Sequence, residues 1–341
     1  MPSCSFSKAV DQALAQAMAR DDRIVVFGED VPMLRPELFA RFGARRVLGT
    51  PISEGAFVGA AVGAAMAGLR PVVEVMMVDF IAVALDPILN HMAKLEAFSD
   101  GKWRCPVVLR AACGAGYGDG GQHGQALWGL LGGIPGLTVV VPSTPLDAAG
   151  LMLSALAADG PVIFLEHKLL SESWLEFLGR GGRTTVTFDV PPEGATGEVP
   201  DPCSPTPIGS AETRRSGGDL TIASLAVGVH RALAAAEALE RRGISAEVID
   251  LRTVRPLDRA TVTSSVARTG RLLVVDEDVR EMGISGELAA SVLEAGLAPR
   301  YRRVCTEGTL PYDRAREAQA LPHVAQIVAA ALELTEARPP L

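Results

Sequence analysis

The sequence predicts an α/β protein of two domains, each a mostly parallel sheet covered by helices on both faces. Short runs rich in Val, Ile and Leu alternate with helical patterns along nearly the whole chain, as strands buried on both sides require. The alternation pauses once, across "FDVPPEGATGEVPDPCSPTPIGSAETRRSGG", a stretch dense in Pro, Gly and Ser with little periodicity. A length of 341 residues also favours two cores over one. The expected division is a first domain over 1–187, a linker over 188–218 and a second domain over 219–341.

In the first domain the expected strands are "RIVVFG", "PVVEVMM", "PVVLRAA", "LTVVV" and "PVIFLE". Helices are expected between them at Phe6–Ala19, Gly55–Ala67, Ala82–Ala97 and Pro145–Ala157. After the linker come "LTIASLAV", a helix over Val229–Arg242, "SAEVIDL", "RLLVVDED", a helix over Ser285–Gly296, "RYRRVC" and a last helix near Pro322–Leu334. No internal repeat is evident.

Composition excludes several classes of function. A formal net charge of −8 with scattered basic residues offers no footprint for nucleic acid. The N-terminal stretch lacks a basic start followed by an apolar run, and the most apolar segment, Gly55–Gly68, is shorter than the ~20 residues a membrane span needs. No membrane association is therefore expected, and the expected location is the cytoplasm. Five cysteines, an odd number without a C-x-x-C, suggest neither a disulfide framework nor a zinc site.

The loop "AGYGDGGQHGQAL" carries two overlapping phosphate-binding patterns. G-x-G-x-x-G from Gly116 to Gly121 follows a strand, but a dinucleotide site also needs an acidic residue at the end of the next strand. That strand, "LTVVVPS", ends in proline and serine instead. Gly-Asp-Gly at 118–120 opens a diphosphate and magnesium motif that needs an asparagine some way downstream, since a hard cation takes oxygen ligands. The only asparagine, Asn90, lies upstream. What remains is His123, which is either an ordinary structural histidine or a proton-exchanging group in a loop after a strand's C-terminal end, where open α/β sheets bind ligands.

A second constellation is "GTPISEGAFVGAAVGAAMAGLRPVVEVMMVDF". Ser53 is placed to cap a helix of small residues that can pack closely, and Glu54 falls in its first turn. Glu54 is either an acid favoured by the helix macrodipole or a carboxyl held at the rim of a site.

These segments resemble the beta subunits of the two-subunit 2-oxoacid dehydrogenases, which include pyruvate, branched-chain and acetoin dehydrogenases. The likeness runs in order through "FGEDV", "TPISE", "VGAAMAGLRPVVE", "ILNHMAKL", "QHGQ", "IPGLTVVVPSTPLDAAGL", "PVIFLEHK", "LRTVRPLD", "GRLLVVDED" and "LPHVAQIV". It implies a thiamine-diphosphate-binding (pyrimidine) domain followed by a transketolase C-terminal-like domain, active only with an alpha subunit in a heterotetramer. The alpha subunit would hold the diphosphate and magnesium, which accords with the missing asparagine. By the same resemblance, Glu54 pairs with a pyrimidine ring nitrogen of the cofactor. Met76 and Phe80, which composition alone would leave as strand core, line the pyrimidine pocket with Ile52 packed nearby. His123 stands close to the thiazolium and assists acyl transfer to lipoamide. A structural monovalent cation, potassium, would sit on the backbone carbonyls of Val107, Ala155, Ala158 and Asp159.

The implied reaction is decarboxylation of a 2-oxoacid, pyruvate being the expected one, and reductive acylation of a lipoyl domain on an acyltransferase core. Three departures bear on the acyl acceptor: Gly124 where the family has serine, Gly133 and Ile134 before the Pro135–Gly136 turn where many members have histidine, and a short loop after Val31. They keep open a two-subunit acyloin synthase or acyl-loading enzyme without a lipoyl core. A non-catalytic scaffold that only binds an alpha subunit is the remaining alternative.

Overall fold

The computed structural model describes residues 3–116, 118, 120–177 and 194–336. Asp119 of the Gly-Asp-Gly and residues 188–193 of the expected linker lie outside them. Fourteen strands are described. Up to residue 200 these are β1 (Ser3–Ser5), β2 (Ile24–Glu29), β3 (Val47–Thr50), β4 (Arg70–Met77), β5 (Val108–Cys113), β6 (Thr138–Val140), β7 (Val162–His167) and β8 (Thr196–Glu198). In the second half they are β9 (Glu212–Arg215), β10 (Leu220–Ser224), β11 (Ala246–Asp250), β12 (Thr253–Arg255), β13 (Arg271–Val279) and β14 (Arg300–Thr306).

A seven-stranded sheet has the order β12-β6-β7-β5-β4-β2-β3, parallel except for β12 at one edge. A five-stranded sheet has the order β14-β13-β10-β11-β9, parallel except for β9 at its edge. The expected strands all form, most of them because they are apolar runs covered from both sides: all six residues of β5 and of β7 are buried, whereas β14 at the edge of the second sheet is only partly buried. The two sheets are stitched together by β12, which leaves the second half of the chain to pair antiparallel with β6, Thr253 opposite Val140.

The residues expected as a linker are not featureless where they are described. β8 pairs with β1, and β9 closes the second sheet against β11. The single helix expected over Ala82–Ala97 is instead three short helical pieces, Val78–Ala84, Pro87–Met92 and Leu95–Phe98. Pro87 lacks the N–H that a continuous helix would use and disfavours helical geometry at the residue before it. A helix over Arg259–Thr269, not expected from the pattern, packs beside β10. Its mean hydropathy is low and its apolar positions are few, so periodicity does not reveal it. Among the described residues no helix is long and apolar enough to cross a membrane.

The first sheet also buries charge. Arg110 of β5, 2% exposed, pairs with Glu166 of β7 and with Glu74 of β4 at 3.2 Å, and Arg35 reaches the same Glu74. Burial alone would raise the Glu74 carboxyl, but the two guanidiniums outweigh it and hold the group below its ordinary range. Removing one partner of such a set leaves the others buried and uncompensated, so the cluster fixes how β4, β5 and β7 sit together.

Candidate active site

The C-terminal ends of the parallel strands carry the sequence-selected residues, as the geometry of open α/β sheets directs. β3 ends at Thr50, and after Pro51, Ile52 and Ser53 the helix Glu54–Met66 begins. Its apolar face buries Phe57, Val58, Ala61, Val62 and Ala65, at about 1.5–3 kcal/mol for each of the larger side chains. Gly55 and Gly59 let this helix approach the Val83 carbonyl and Pro87. Ser53 does not cap it: its hydroxyl donates to the Pro51 carbonyl at 3.3 Å.

Glu54 therefore stands at the helix start, 8% exposed, and among the described residues no side chain donates to its carboxylate. Glu29, at the end of β2, was not selected from the sequence. Burial first, then the charges of Asp30 and Glu54, raise its carboxyl above the ordinary value, which places Glu29 and Glu54 in one electrostatic neighbourhood.

Met76, near the end of β4, lines a cavity with Glu29, Leu34, Ala112 and Trp174. Phe80 lies in the short helical turn that follows, and the helix headed by Glu54 packs against that turn. Phe80 and His123 meet edge to face, ring centroids 5.7 Å apart at 83°. A neighbouring contact explains this meeting: Asp79 accepts from the Gln125 side-chain amide at 2.8 Å, tying the glycine loop to the turn. Ile52 is 71% exposed and is not packed within this chain. It becomes an apolar rim residue that only a ligand or another surface would cover.

The glycine loop leaves β5 at Gly114 and returns at Gln125, whose carbonyl accepts the Gly114 N–H at 2.9 Å. Gly114 has φ +86°, and a Cβ there would lie 2.0 Å from His167 Nε2, so only glycine fits. His167 is fully buried at the end of β7. Its Nδ1 accepts the Leu169 N–H, so Nε2 carries the proton and donates to Glu277 Oε1 at 2.7 Å. The same oxygen accepts the Ala115 N–H, and Glu277 Oε2 takes Arg231 at 2.7 Å. Burial would raise Glu277, but His167, Arg231 and the Ala115 N–H overcome it and hold the carboxyl down at about 2. Next along the chain, Lys168 is fully buried and donates its ammonium to the His123 carbonyl.

His167, Lys168, Arg231 and Glu277 escape sequence reasoning because they meet only in space. The available signal was chemical: "LEHK" and "VVDED" put charges at the ends of otherwise apolar strands. Gly124 is now explained by packing, since a Cβ there would fall 3.2 Å from Ala115 Cβ and 3.3 Å from Leu310 Cδ1. The four carbonyls expected around a monovalent cation lie where β5 begins and the helix Pro145–Ala157 ends. Val107 accepts from Val162 N–H, Ala155 from Ala158 N–H, and Ala158 from the Arg70 guanidinium, while the Asp159 side chain pairs with Arg70 at 3.6 Å. Among the described residues no cluster of His, Cys, Asp or Glu is disposed to hold a metal ion.

Two parallel-dominated sheets with a polar and aromatic cluster at the C-terminal edge of the first define a transketolase-type architecture. The family described as transketolase, pyrimidine binding domain, matches residues 3–172, and that described as transketolase, C-terminal domain, matches residues 209–327. The acetoin:2,6-dichlorophenolindophenol oxidoreductase subunit beta of Cupriavidus necator is 39% identical, covering 96% of each chain. The 2-oxoisovalerate dehydrogenase subunit beta of Bacillus subtilis is 37% identical over 98% of this chain and 100% of its own. The mitochondrial pyruvate dehydrogenase E1 component subunit beta-2 of Oryza sativa is 39% identical over 95% and 84%. A split-gene transketolase, described as an inactive beta4 tetramer, shares the fold at a TM-score of 0.78, with 21% identity over 97% of this chain and 98% of its own. The chain belongs to the beta subunits of the two-subunit 2-oxoacid dehydrogenases.

Proposed function

We propose that this chain joins an alpha subunit in a heterotetramer that decarboxylates a short 2-oxoacid such as pyruvate and reductively acylates a lipoyl domain on an acyltransferase core. The carrying observation is Glu54: a buried carboxylate at the sheet's ligand-binding edge to which no described side chain donates, heading the helix that packs against the turn carrying Phe80. A buried carboxylate wants a donor, and a protonated pyrimidine nitrogen is one. Thiamine diphosphate would supply the carbon nucleophile and the electron sink for decarboxylation.

Glu54 would hold the proton at that ring nitrogen, and Met76 and Phe80 would exclude water from the ring, with Ile52 at the rim. His123, oriented by Phe80, would exchange a proton with the substrate oxygen as the acyl group leaves for its acceptor. Diphosphate and magnesium are assigned to the alpha subunit, because Asn90 is engaged on a helical surface with Asp86 and Lys94. A potassium ion on the carbonyls of Val107, Ala155, Ala158 and Asp159 would share that of Ala158 with the Arg70 guanidinium and those of Val107 and Ala155 with backbone N–H donors, using the second lone pair of each oxygen.

The acyl acceptor is tested by supplying the complex with pyruvate, thiamine diphosphate and magnesium, and offering either a lipoyl domain or aldehydes. Acylation of the lipoyl domain is expected. Carbon–carbon bond formation with aldehydes and no lipoyl acylation would overturn the dehydrogenase reading in favour of an acyloin synthase.

A further inference from the structure

The glycine loop presents a physical problem that the roles given above do not resolve. Between Gly114 and Gly124 it contains six glycines, and the described ones at 114, 116, 118 and 120 have φ between +69° and +118°. Such a segment has more backbone freedom to lose than any other kind, and the one local backbone bond at the histidine, His123 N–H to the Gly120 carbonyl at 3.1 Å, ties it only to another glycine. Something rigid must hold it.

The holding contact comes from β7. Lys168 is 0% exposed, an expensive place for an ammonium, and it donates to the main-chain carbonyl of His123 itself, 45 residues away. Its own position is fixed by the residue before it. His167 is clamped by the Leu169 N–H on one ring nitrogen and by Glu277 on the other, and Glu277 also seats the first turn of the loop through the Ala115 N–H. The His123 main chain is thus anchored to the sheet while its ring is bounded by Phe80. A hydrogen bond from a charged donor inside the protein is worth more than a neutral one, and this one acts on the residue that faces the site.

We propose that Lys168 is a positioning residue, which sets the location of His123 for acyl transfer by fixing its carbonyl to the end of β7. This rests on the reading of His123 given under the proposed function. The test uses the whole alpha–beta complex with thiamine diphosphate, magnesium and a lipoyl domain, comparing wild type, Lys168→Met, His123→Ala and the double variant. Lys168→Met should slow lipoyl acylation at saturating substrate by about tenfold to a hundredfold, the scale of a misplaced catalytic group. In the His123→Ala background the same substitution should cost no more than about twofold, because residues that act as a unit are not additive.

Equal losses in both backgrounds would show a merely structural lysine and overturn the proposal, as would a wild-type rate for Lys168→Met alone. Should Lys168→Met fail to assemble, Lys168→Gln, which is shorter and carries no charge, is run through the same cycle and must show the same non-additivity. A His123→Ala enzyme that acylates the lipoyl domain at the wild-type rate would instead sink the role given to His123.

Discussion

Replacing Gly114 with alanine should destabilise the protein far more than its size suggests. At φ +86° an L-residue loses about 1–2 kcal/mol against the backbone alone. The new methyl would also stand 2.0 Å from His167 Nε2 and drive the imidazole off Glu277, a buried hydrogen bond to an ionised carboxylate worth about 1.5–3 kcal/mol. Together these come to roughly 2.5–5 kcal/mol, a large share of a domain's net stability. Gly101→Ala is the matched control, since its φ is +73° and nothing lies within 4 Å of the added Cβ, leaving only the backbone cost. Urea denaturation followed by tryptophan fluorescence compares the two. If Gly114→Ala and Gly101→Ala shift the midpoint equally, the clamp of His167 on Glu277 contributes nothing and the reasoning fails.

Gly124→Ser should cost about 1–3 kcal/mol in the same assay, because Ala115 and Leu310 must give way by a few tenths of an ångström; an unchanged midpoint would show the site to be roomier than the structure has it. Asp276 sets a pH dependence. Burial, then the charge of Asp278, push its carboxyl up to about 7 despite the Trp128 N–H, so the folded protein binds a proton that the unfolded chain releases near pH 4. Stability from this group is complete below about pH 4 and is lost as pH rises through about 7. Glu277 acts oppositely and elsewhere, its contribution being lost only as pH falls from about 4.5 towards 2. Asp276→Asn should therefore remove much of the fall in thermal midpoint between pH 5 and 8, and an undiminished fall would assign it to other groups.

The sheets were legible in the sequence because their strands are apolar runs such as "PVVLRAA" and "PVIFLE", which few other structures can accommodate. β12 was not, because three residues of a loop become a strand only when β6 offers an edge. The pieces around Pro87 show the opposite error, in which helical periodicity persisted across a residue that interrupts the helix. At the site, Glu54 and His123 could be picked out because each follows a strand end in a recognisable local pattern. Lys168 and Glu277 could not: their partners lie 45 and 110 residues away, and no local spacing encodes such a contact.

The central claim, that this chain contributes the pyrimidine half of a shared cofactor site through Glu54, is tested by Glu54→Gln in the reconstituted alpha–beta enzyme. The amide keeps the shape and removes the acceptor charge, so thiamine-dependent turnover of pyruvate should fall by roughly 10²–10⁴-fold with assembly unchanged, and the wild-type chain without its alpha partner should show no turnover. Wild-type turnover by the Glu54→Gln complex, or turnover by this chain alone, would contradict it.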